Sequence, residues 1–211
     1  MYGGNNLQTK LNDGSNISLQ QVSNYPWDGA VKITITEAPS KALPIHLRIP
    51  GWCKKASVKI NGKLINGDIN GGKYLALNQK WNRNDKIELV LDMPATLIES
   101  NPMVEATRNQ VAVKRGPVVY CIESPDLKTT RIFDIAIPSD IQLNPVPAKI
   151  ANGNIMALTG QARLINDGDW TNKLYKEVSK SEKPVNIKLI PYYAWANRGE
   201  TDMTVWMPLV R

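Results

Sequence analysis

Apolar and polar residues alternate along much of the chain. Residues 31–36 follow the pattern Val-Lys-Ile-Thr-Ile-Thr, and the same alternation recurs at residues 45–49, 86–89 and 185–189. Successive side chains of an extended strand point to opposite faces of a sheet, so this period predicts half-buried antiparallel strands. Residues 117–122 are apolar without interruption, which is typical of a strand buried on both faces.

Turn-forming residues separate these runs. Asn61 and Gly62 stand between two short apolar runs and predict a tight hairpin, because both residues tolerate a positive φ. A single stretch, residues 172–181, has weak helical character, and the chain lacks the strand–helix alternation that predicts a parallel sheet. We therefore predict an all-β fold of two antiparallel β-sandwich units.

The division between these units is predicted from a change in composition near Asn101 and Pro102. Regular strands precede this point, and an irregular region rich in Pro and Asn follows at residues 138–154. We place the first sandwich at residues 1–103 and the second at residues 104–199.

Composition is that of a folded, soluble protein. Of its 211 residues 42% are hydrophobic and 21% are charged, and no apolar run approaches the roughly 20 residues that span a bilayer. Residues 1–6 contain no basic segment followed by an apolar one, so we expect no signal peptide. They already have turn chemistry, as the interior of a longer protein would. We expect a bacterial cytoplasmic or periplasmic protein without a membrane partner.

The basic residues do not indicate nucleic acid as a partner. The net charge is +7, from 26 Lys and Arg against 19 Asp and Glu. These positive charges are spread along the chain and often alternate with apolar residues, as on the solvent face of a sheet. The densest group, at residues 173–183, is interleaved with Glu177 and Glu182. We therefore predict that the chain does not bind nucleic acid.

Residues that could carry catalysis or bind a metal are few. The one histidine, His46, lies on the polar face of a predicted strand, and no zinc-ligand spacing is present. Cys53 and Cys121 lie in or beside apolar runs, which indicates buried free thiols. Asp167 and Asp169 could form a sugar or calcium loop, or a local turn in which they bond the backbone. We predict no catalytic residue, no metal site and no cofactor in this chain.

Tryptophan is the more informative residue type. Six tryptophans accompany a single phenylalanine, and Trp27, Trp52 and Trp195 lie in or near turn-like segments. Rings exposed on loops can stack on sugar faces, and rings at such places can also close a sandwich core or bury a domain interface. These three are our candidate carbohydrate or interdomain contacts, and core or interface packing is the favoured interpretation.

Four motifs in order carry a family resemblance. They are Tyr-Pro-Trp-Asp-Gly at residues 25–29, Leu-Arg-Ile-Pro-Gly-Trp at 47–52, Lys-Arg-Gly-Pro-Val-Val-Tyr at 114–120 and Pro-Tyr-Tyr-Ala-Trp-Ala-Asn-Arg-Gly at 191–199. Together they resemble the C-terminal β-sandwich region of the β-L-arabinofuranosidase family of glycoside hydrolases, formerly described as a domain of unknown function. The resemblance spans essentially the whole chain.

This resemblance implies that catalysis belongs to an N-terminal (α/α) barrel that the chain lacks. In the family a zinc-bound cysteine nucleophile and a glutamate acid/base act in that barrel, around an adjacent Cys-Cys pair. The sequence has no Cys-Cys pair and no barrel-like helical region, so zinc is implied for the absent domain alone. The resemblance also suggests that a C-terminal strand, within residues 200–211, returns to the first sandwich.

Two functions follow as hypotheses. The first is a non-catalytic β-sandwich region of a glycoside hydrolase, which packs on its own missing barrel and supports it. The alternative is a carbohydrate-binding module that holds an oligosaccharide through Trp27, Trp52 or Trp195. A structural adhesion module is a third hypothesis, and no sequence feature favours it.

Overall fold

The computed structural model describes residues 2–67, 69–127, 130–165, 170–177 and 183–211. The strands, in chain order, are β1 (Asn5–Lys10), β2 (Asn16–Ser23), β3 (Ala30–Glu37), β4 (Leu43–Arg48), β5 (Ala56–Ile60), β6 (Lys63–Leu64), β7 (Tyr74–Gln79), β8 (Lys86–Leu91), β9 (Ala95–Glu99), β10 (Gln110–Arg115), β11 (Val118–Glu123), β12 (Ile135–Pro138), β13 (Asn144–Ile150), β14 (Gly153–Leu164), β15 (Pro184–Pro191), β16 (Met203–Thr204) and β17 (Met207–Val210). The described helices are 3-10 turns at Glu105–Thr107, Ser124–Asp126, Ile132–Asp134 and Tyr192–Ala194. The predicted all-β fold is confirmed.

Two compact units make up the chain, unit 1 (Met1–Pro94) and unit 2 (Ala95–Arg211). The division lies before β9, whereas the sequence placed it at residues 103–104. The physical reason is pairing: β9 forms an antiparallel pair with β10, with Val113 opposite Leu97. The composition change near Asn101 therefore falls within unit 2, in the connection that follows β9.

Unit 1 contains two antiparallel sheets. One has the strand order β1-β2-β3-β8-β5-β6, and the other pairs β4 with β7. The predicted alternation is confirmed in β3, where Val31, Ile33 and Ile35 are buried and the intervening residues are more exposed. The predicted hairpin joins β5 to β6, and Asn61 and Gly62 have φ values of 50° and 79°.

Residues from both sheets fill the core of unit 1. Its buried members are Val31, Ile33, Ile35, Leu47, Ile49, Cys53, Val58, Leu77, Trp81, Ile87, Leu89 and Leu91. Trp81 is 2% exposed, and its indole Nε1 donates a hydrogen bond of 2.8 Å to the carbonyl oxygen of Leu43. This bond satisfies the polar atom that burial of a tryptophan would otherwise leave without a partner.

Unit 2 is built on a sheet that closes on itself. Strands β11, β15, β14, β12, β17 and β10 pair in succession, and β10 pairs again with β11. Five of these contacts are antiparallel, and the β12–β17 contact is parallel. The core inside the ring consists of Val111, Val113, Val118, Tyr120, Ile122, Leu127, Ile132, Ile135, Ile137, Leu158, Ala162, Ile187, Leu189 and Met207.

The C-terminal strands pair within unit 2. The family resemblance predicts that residues 200–211 return to the first sandwich, but β16 pairs with β11, and β17 pairs with both β10 and β12. Met207 is fully buried in the core of unit 2, opposite Val111. This burial accounts for the placement of β17.

Several other sequence predictions can be located. Residues 172–177 form no helix, and the rest of the stretch to 181 lies outside the described residues. Asp167 and Asp169 also lie outside them, so the predicted sugar or calcium loop is not described. None of the described helices has the length and apolar character needed to cross a lipid bilayer.

Candidate functional site

Trp52 lies at the edge of the unit 1 core. It is partly buried against that core, and its ring lies 6.5 Å from the ring of Tyr25 at an interplanar angle of 21°. Tyr2 meets Tyr25 edge-on at 6.2 Å, and its hydroxyl donates to the carbonyl oxygen of Arg48 over 2.6 Å. Burial raises the pKa of Tyr2 to about 12, so the phenol stays protonated at neutral pH.

Trp27 lies in the turn between β2 and β3, where it is half-buried. Its backbone N–H donates to the carbonyl oxygen of Asn24 over 2.8 Å, and Asp28 accepts from the N–H of Ala30 over 3.0 Å. A Cβ on Gly29 would lie 1.9 Å from the carbonyl oxygen of Leu91. Glycine is therefore required where this turn crosses β8, which gives a physical reason for the Gly of the Tyr-Pro-Trp-Asp-Gly motif.

Trp195 belongs to unit 2 and is the most accessible of the three candidate tryptophans. It follows the 3-10 turn after β15, and it is 40% exposed. Its ring lies 6.4 Å from that of Tyr192, which is 47% exposed, and the two planes differ by 12°. These two stacked rings are called here the aromatic platform (Tyr192 and Trp195).

A buried carboxylate organises the backbone that follows the platform. Glu123, at the end of β11, is 0% exposed. Its Oε1 accepts from the Ala196 N–H over 3.2 Å and from the Thr201 hydroxyl over 2.8 Å, and its Oε2 accepts from Arg198 Nε over 2.9 Å and also from Arg198 Nη2. One side chain thus fixes three positions of the anchored loop (residues 195–202).

Arg198 carries the same network to a second carboxylate. Its Nη1 and Nη2 donate to the two oxygens of Asp126 over 3.1 and 2.7 Å, and Lys188 donates to Asp126 over 3.3 Å. Because the guanidinium is planar and has five N–H donors, it can donate hydrogen bonds to the carboxylates of Glu123 and Asp126 at the same time with fixed geometry. The cluster of Glu123, Asp126, Lys188 and Arg198 is called the ion network below.

Both acids of the ion network stay ionised at neutral pH. Burial raises the pKa of Glu123, but hydrogen bonds from Arg198, Thr201 and the Ala196 N–H outweigh it and hold the pKa below its usual range. The pKa of Asp126 is lowered by the same balance between burial and its bonds to Arg198 and Lys188. Hydrogen bonding to Asp126 raises the pKa of Arg198 further.

This arrangement suits structure rather than proton transfer. Glycoside hydrolysis by two carboxyl groups needs one acid with a raised pKa and direct access to the glycosidic oxygen. Glu123 has a lowered pKa, no exposed surface, and both oxygens occupied by the anchored loop. We conclude that the network positions residues 195–202.

An open cleft of about 710 Å³ adjoins the platform in unit 2. Its lining consists of Ser124, Trp195, Ala196, Gly199, Glu200, Thr201 and Asp202. Two hydrogen bonds join Asp202 to the turn after β11: the Asp202 N–H donates to Ser124 Oγ over 3.1 Å, and the Ser124 N–H donates to the Asp202 carbonyl oxygen over 3.0 Å. The cleft combines one aromatic ring with polar side chains.

The remaining candidate residues do not converge. His46 is exposed on β4, as predicted. Cys53 and Cys121 are free, buried, and in different units, and burial raises the pKa of the Cys121 thiol to about 12. Among the described residues, no three His, Cys, Asp or Glu side chains are grouped so as to hold a metal ion.

Trp195 is a candidate on sequence grounds, whereas the ion network beside it is not predicted by the sequence. Glu123 ends an apolar run and Arg198 stands 75 residues later, so nothing in the sequence pairs them. The available signal was indirect: Glu123 directly follows the apolar residues 117–122, and a carboxylate that becomes buried needs hydrogen-bonding or cationic partners.

Two sequence models of one family match the chain. The GH127 middle domain of β-L-arabinofuranosidase matches residues 1–93, and the C-terminal domain of glycoside hydrolase family 127 matches residues 95–208. The junction between the two matches coincides with the division of the structure between Pro94 and Ala95.

Individual relatives agree with this assignment. A non-reducing end β-L-arabinofuranosidase of Bifidobacterium longum subsp. longum is 30% identical over 91% of this chain, which covers 30% of that protein. A solved structure named as a glycoside hydrolase matches the whole chain with 45% identity and a TM-score of 0.94, and the chain covers 35% of it. A GH127 β-L-arabinofuranosidase from Geobacillus stearothermophilus T6 matches the whole chain with 34% identity and a TM-score of 0.91, at 33% coverage of that structure.

The chain thus spans about a third of the length of the relatives it matches. Each unit of the structure corresponds to one domain of the family. The chain belongs to glycoside hydrolase family 127, with the family's middle and C-terminal domains as its two units.

Proposed function

We propose that this chain is the non-catalytic β region of a β-L-arabinofuranosidase-like hydrolase, which packs on an N-terminal (α/α) barrel and supports it. One observation carries the proposal. The middle and C-terminal domain models account for residues 1–93 and 95–208, while the chain covers only 30–35% of its relatives. The remaining two thirds of such a protein can hold the catalytic machinery.

The polar and thiol side chains of the two units support this division of labour. The carboxylates of the ion network are committed to Arg198, and burial raises the pKa values of both thiols, which weakens them as nucleophiles. Zinc, which the family resemblance implies, does not fit here: Cys53 and Cys121 lie in different units and His46 is exposed. No step of the reaction is therefore assigned to this chain.

A supporting domain also needs surface that another domain can cover. Unit 1 exposes apolar side chains on its larger sheet, with Val22 of β2 60% exposed and Val90 of β8 50% exposed. They line a common cleft of about 620 Å³ with Lys32, Lys59 and Glu88. Apolar side chains with a charged surround are characteristic of surfaces that contact other proteins.

The catalytic part of the proposal is tested with the 211-residue chain alone. Incubated with p-nitrophenyl β-L-arabinofuranoside, with and without added zinc, it should release no nitrophenol above the buffer rate. A Glu123→Gln variant should behave identically. Turnover by the chain that Glu123→Gln abolishes would contradict a non-catalytic role.

The supporting role requires the complete protein. Replacing Val22 and Val90 together by aspartate should lower the melting temperature of the catalytic domain, because charge would be buried at a contact. The same double substitution in the 211-residue chain is the control, and it should have little effect there since both side chains are exposed. An unchanged melting temperature of the catalytic domain would show that this face of unit 1 does not contact it.

A further inference from the structure

The aromatic platform and its cleft form a surface that the supporting role does not require. Tyr192 and Trp195 keep 47% and 40% of their surface in water although both are large and apolar. Their rings are stacked, with centroids 6.4 Å apart and planes that differ by 12°, so they form one aromatic unit with an exposed aromatic face. Such a face is stabilised when a flat apolar partner covers it.

The backbone that carries the platform is held rigid at considerable cost. Ala196 has φ 63°, a left-handed conformation that is unfavourable for a residue with a Cβ, and Gly199 follows with φ 97°. The Ala196 N–H is held by Glu123, a fully buried carboxylate that itself needs Arg198 for compensation. A simple connection between strands needs none of this, whereas a binding surface gains affinity when its geometry is fixed in advance.

Polar groups surround the platform on the cleft side. Ser124, Glu200, Thr201 and Asp202 line the cleft together with the ring of Trp195. Its volume of about 710 Å³ lies within the range of small-ligand sites. A saccharide fits this combination, because its ring has a C–H face that can lie on an aromatic face and hydroxyl groups at its rim that bond carboxylates and hydroxyls.

The charge of the cleft selects among saccharides. Glu200 and Asp202 are exposed acids, the described lining of the cleft contains no lysine or arginine, and the guanidinium of Arg198 is engaged with Glu123 and Asp126. A uronate or sulfated sugar would meet these carboxylates at close range and be repelled. The geometry points to the aromatic platform and its cleft as a binding site for a neutral saccharide, in which the sugar ring stacks on Trp195 and its hydroxyl groups bond to Glu200 and Asp202.

The test follows the indole N–H signals of the 211-residue chain by NMR. Arabinotriose and cellotriose serve as neutral probes, and trigalacturonic acid serves as the acidic one. We expect a saturable shift of the Trp195 signal with a neutral probe and none with the acidic one. Trp195→Ala should weaken binding about tenfold, which corresponds to the upper end of an aromatic contact. Trp195→Phe should restore part of it.

Trp170→Ala is the matched control. Trp170 also lies in unit 2 and is 41% exposed, but the Lys176 ammonium covers its ring at 4.6 Å. This variant should bind like the unaltered chain. Absence of any saturable shift at Trp195 up to about 20 mM of either neutral probe, a value far weaker than usual small-ligand affinities, would overturn the proposal. So would equal binding by Trp195→Ala in a variant whose amide spectrum shows an intact fold.

Discussion

The two units hold their surface loops in different ways. In unit 1 the turn that carries Trp27 is held by packing, with Tyr25 against Trp52 and Gly29 against the backbone of Leu91, and by local hydrogen bonds rather than by a buried ion network. In unit 2 the anchored loop is held by the ion network. Among the described residues, the buried charged side chains are Glu123 and Asp134, and both belong to unit 2. Packing is indifferent to pH and to a lost charge, whereas an ion network fails when one member is removed.

The largest difference should appear when the cation of the network is removed. Arg198→Leu leaves the fully buried Glu123 without a cationic partner and Asp126 with Lys188 alone, and removal of one partner from a buried pair typically costs about 3–5 kcal/mol. Denaturant unfolding followed by hydrogen exchange should show lost protection in β11 and β15, with β3 and β8 unaffected.

Arg211→Leu is the control for that experiment. Arg211 also pairs with a carboxylate of unit 2, at 2.6 Å from Glu99, but the two side chains are 70% and 56% exposed. Exposed pairs contribute less than about 1 kcal/mol, so the free energy of unfolding should barely change. Equal losses from the two arginine variants would refute a special role for burial.

A cavity should be the most damaging kind of change in unit 1. Leu89 is 1% exposed and packs in the core, so Leu89→Ala should lower the free energy of unfolding by roughly 2–5 kcal/mol. Val90 is the next residue on the same strand and 50% exposed, and Val90→Ala should cost no more than about 0.5 kcal/mol. In Leu89→Ala, a loss of hydrogen-exchange protection confined to β3 and β8 would agree with this prediction. A loss of protection in both units would show that they do not unfold separately.

Acid should lower the stability of unit 2 more than that of unit 1, by a smaller amount than the substitutions above. The pKa values of Glu123 and Asp126 are lowered by folding, so their contribution to stability is complete at neutral pH. It declines once the pH falls below the usual carboxyl values of about 4. Hydrogen exchange at pH 7 and 3, corrected for intrinsic rates, should show a larger loss in β11 and β15 than in β3 and β8. In Arg198→Leu this selective loss should disappear.

Strands with a clear local pattern could be predicted from the sequence, whereas β13 lies within residues 138–154, which their Pro and Asn content indicated as irregular. Alternation identifies β3 and β8, and Asn61-Gly62 identifies the hairpin between β5 and β6, since these features depend on neighbours in the chain. The boundary at 103–104 was displaced because it was inferred from composition. Residues 95–99 belong to unit 2 because they pair with β10, and such strand pairing cannot be inferred from composition.

The candidate site was predicted only in part, for a similar reason. Trp195 is visible as an aromatic residue in a turn, but its anchoring depends on Glu123 and Arg198, which are 75 positions apart. Trp52 has an equally turn-like sequence context, yet it packs against the unit 1 core. A local pattern cannot distinguish a tryptophan that covers a core from one on an anchored loop. The two cases differ in the residues that the tryptophan or its loop contacts, and these residues are distant in the sequence.

The closure of the unit 2 ring by β17 bears on how the protein is made. β17 joins β10 to β12, and the residues that it pairs with, Gln110 and Val111, are translated almost a hundred residues earlier than Met207 and Pro208. Unit 1 has all its partners once β8 has left the ribosome, so it can fold while synthesis continues. In unit 2 β10 can pair with β9 and β11 early, but one edge of β10 at Gln110 and Val111 and one edge of β12 lack a partner until β17 emerges. During that interval these unpaired edges can pair with other chains and aggregate. The yield of native protein therefore depends on how soon β17 pairs.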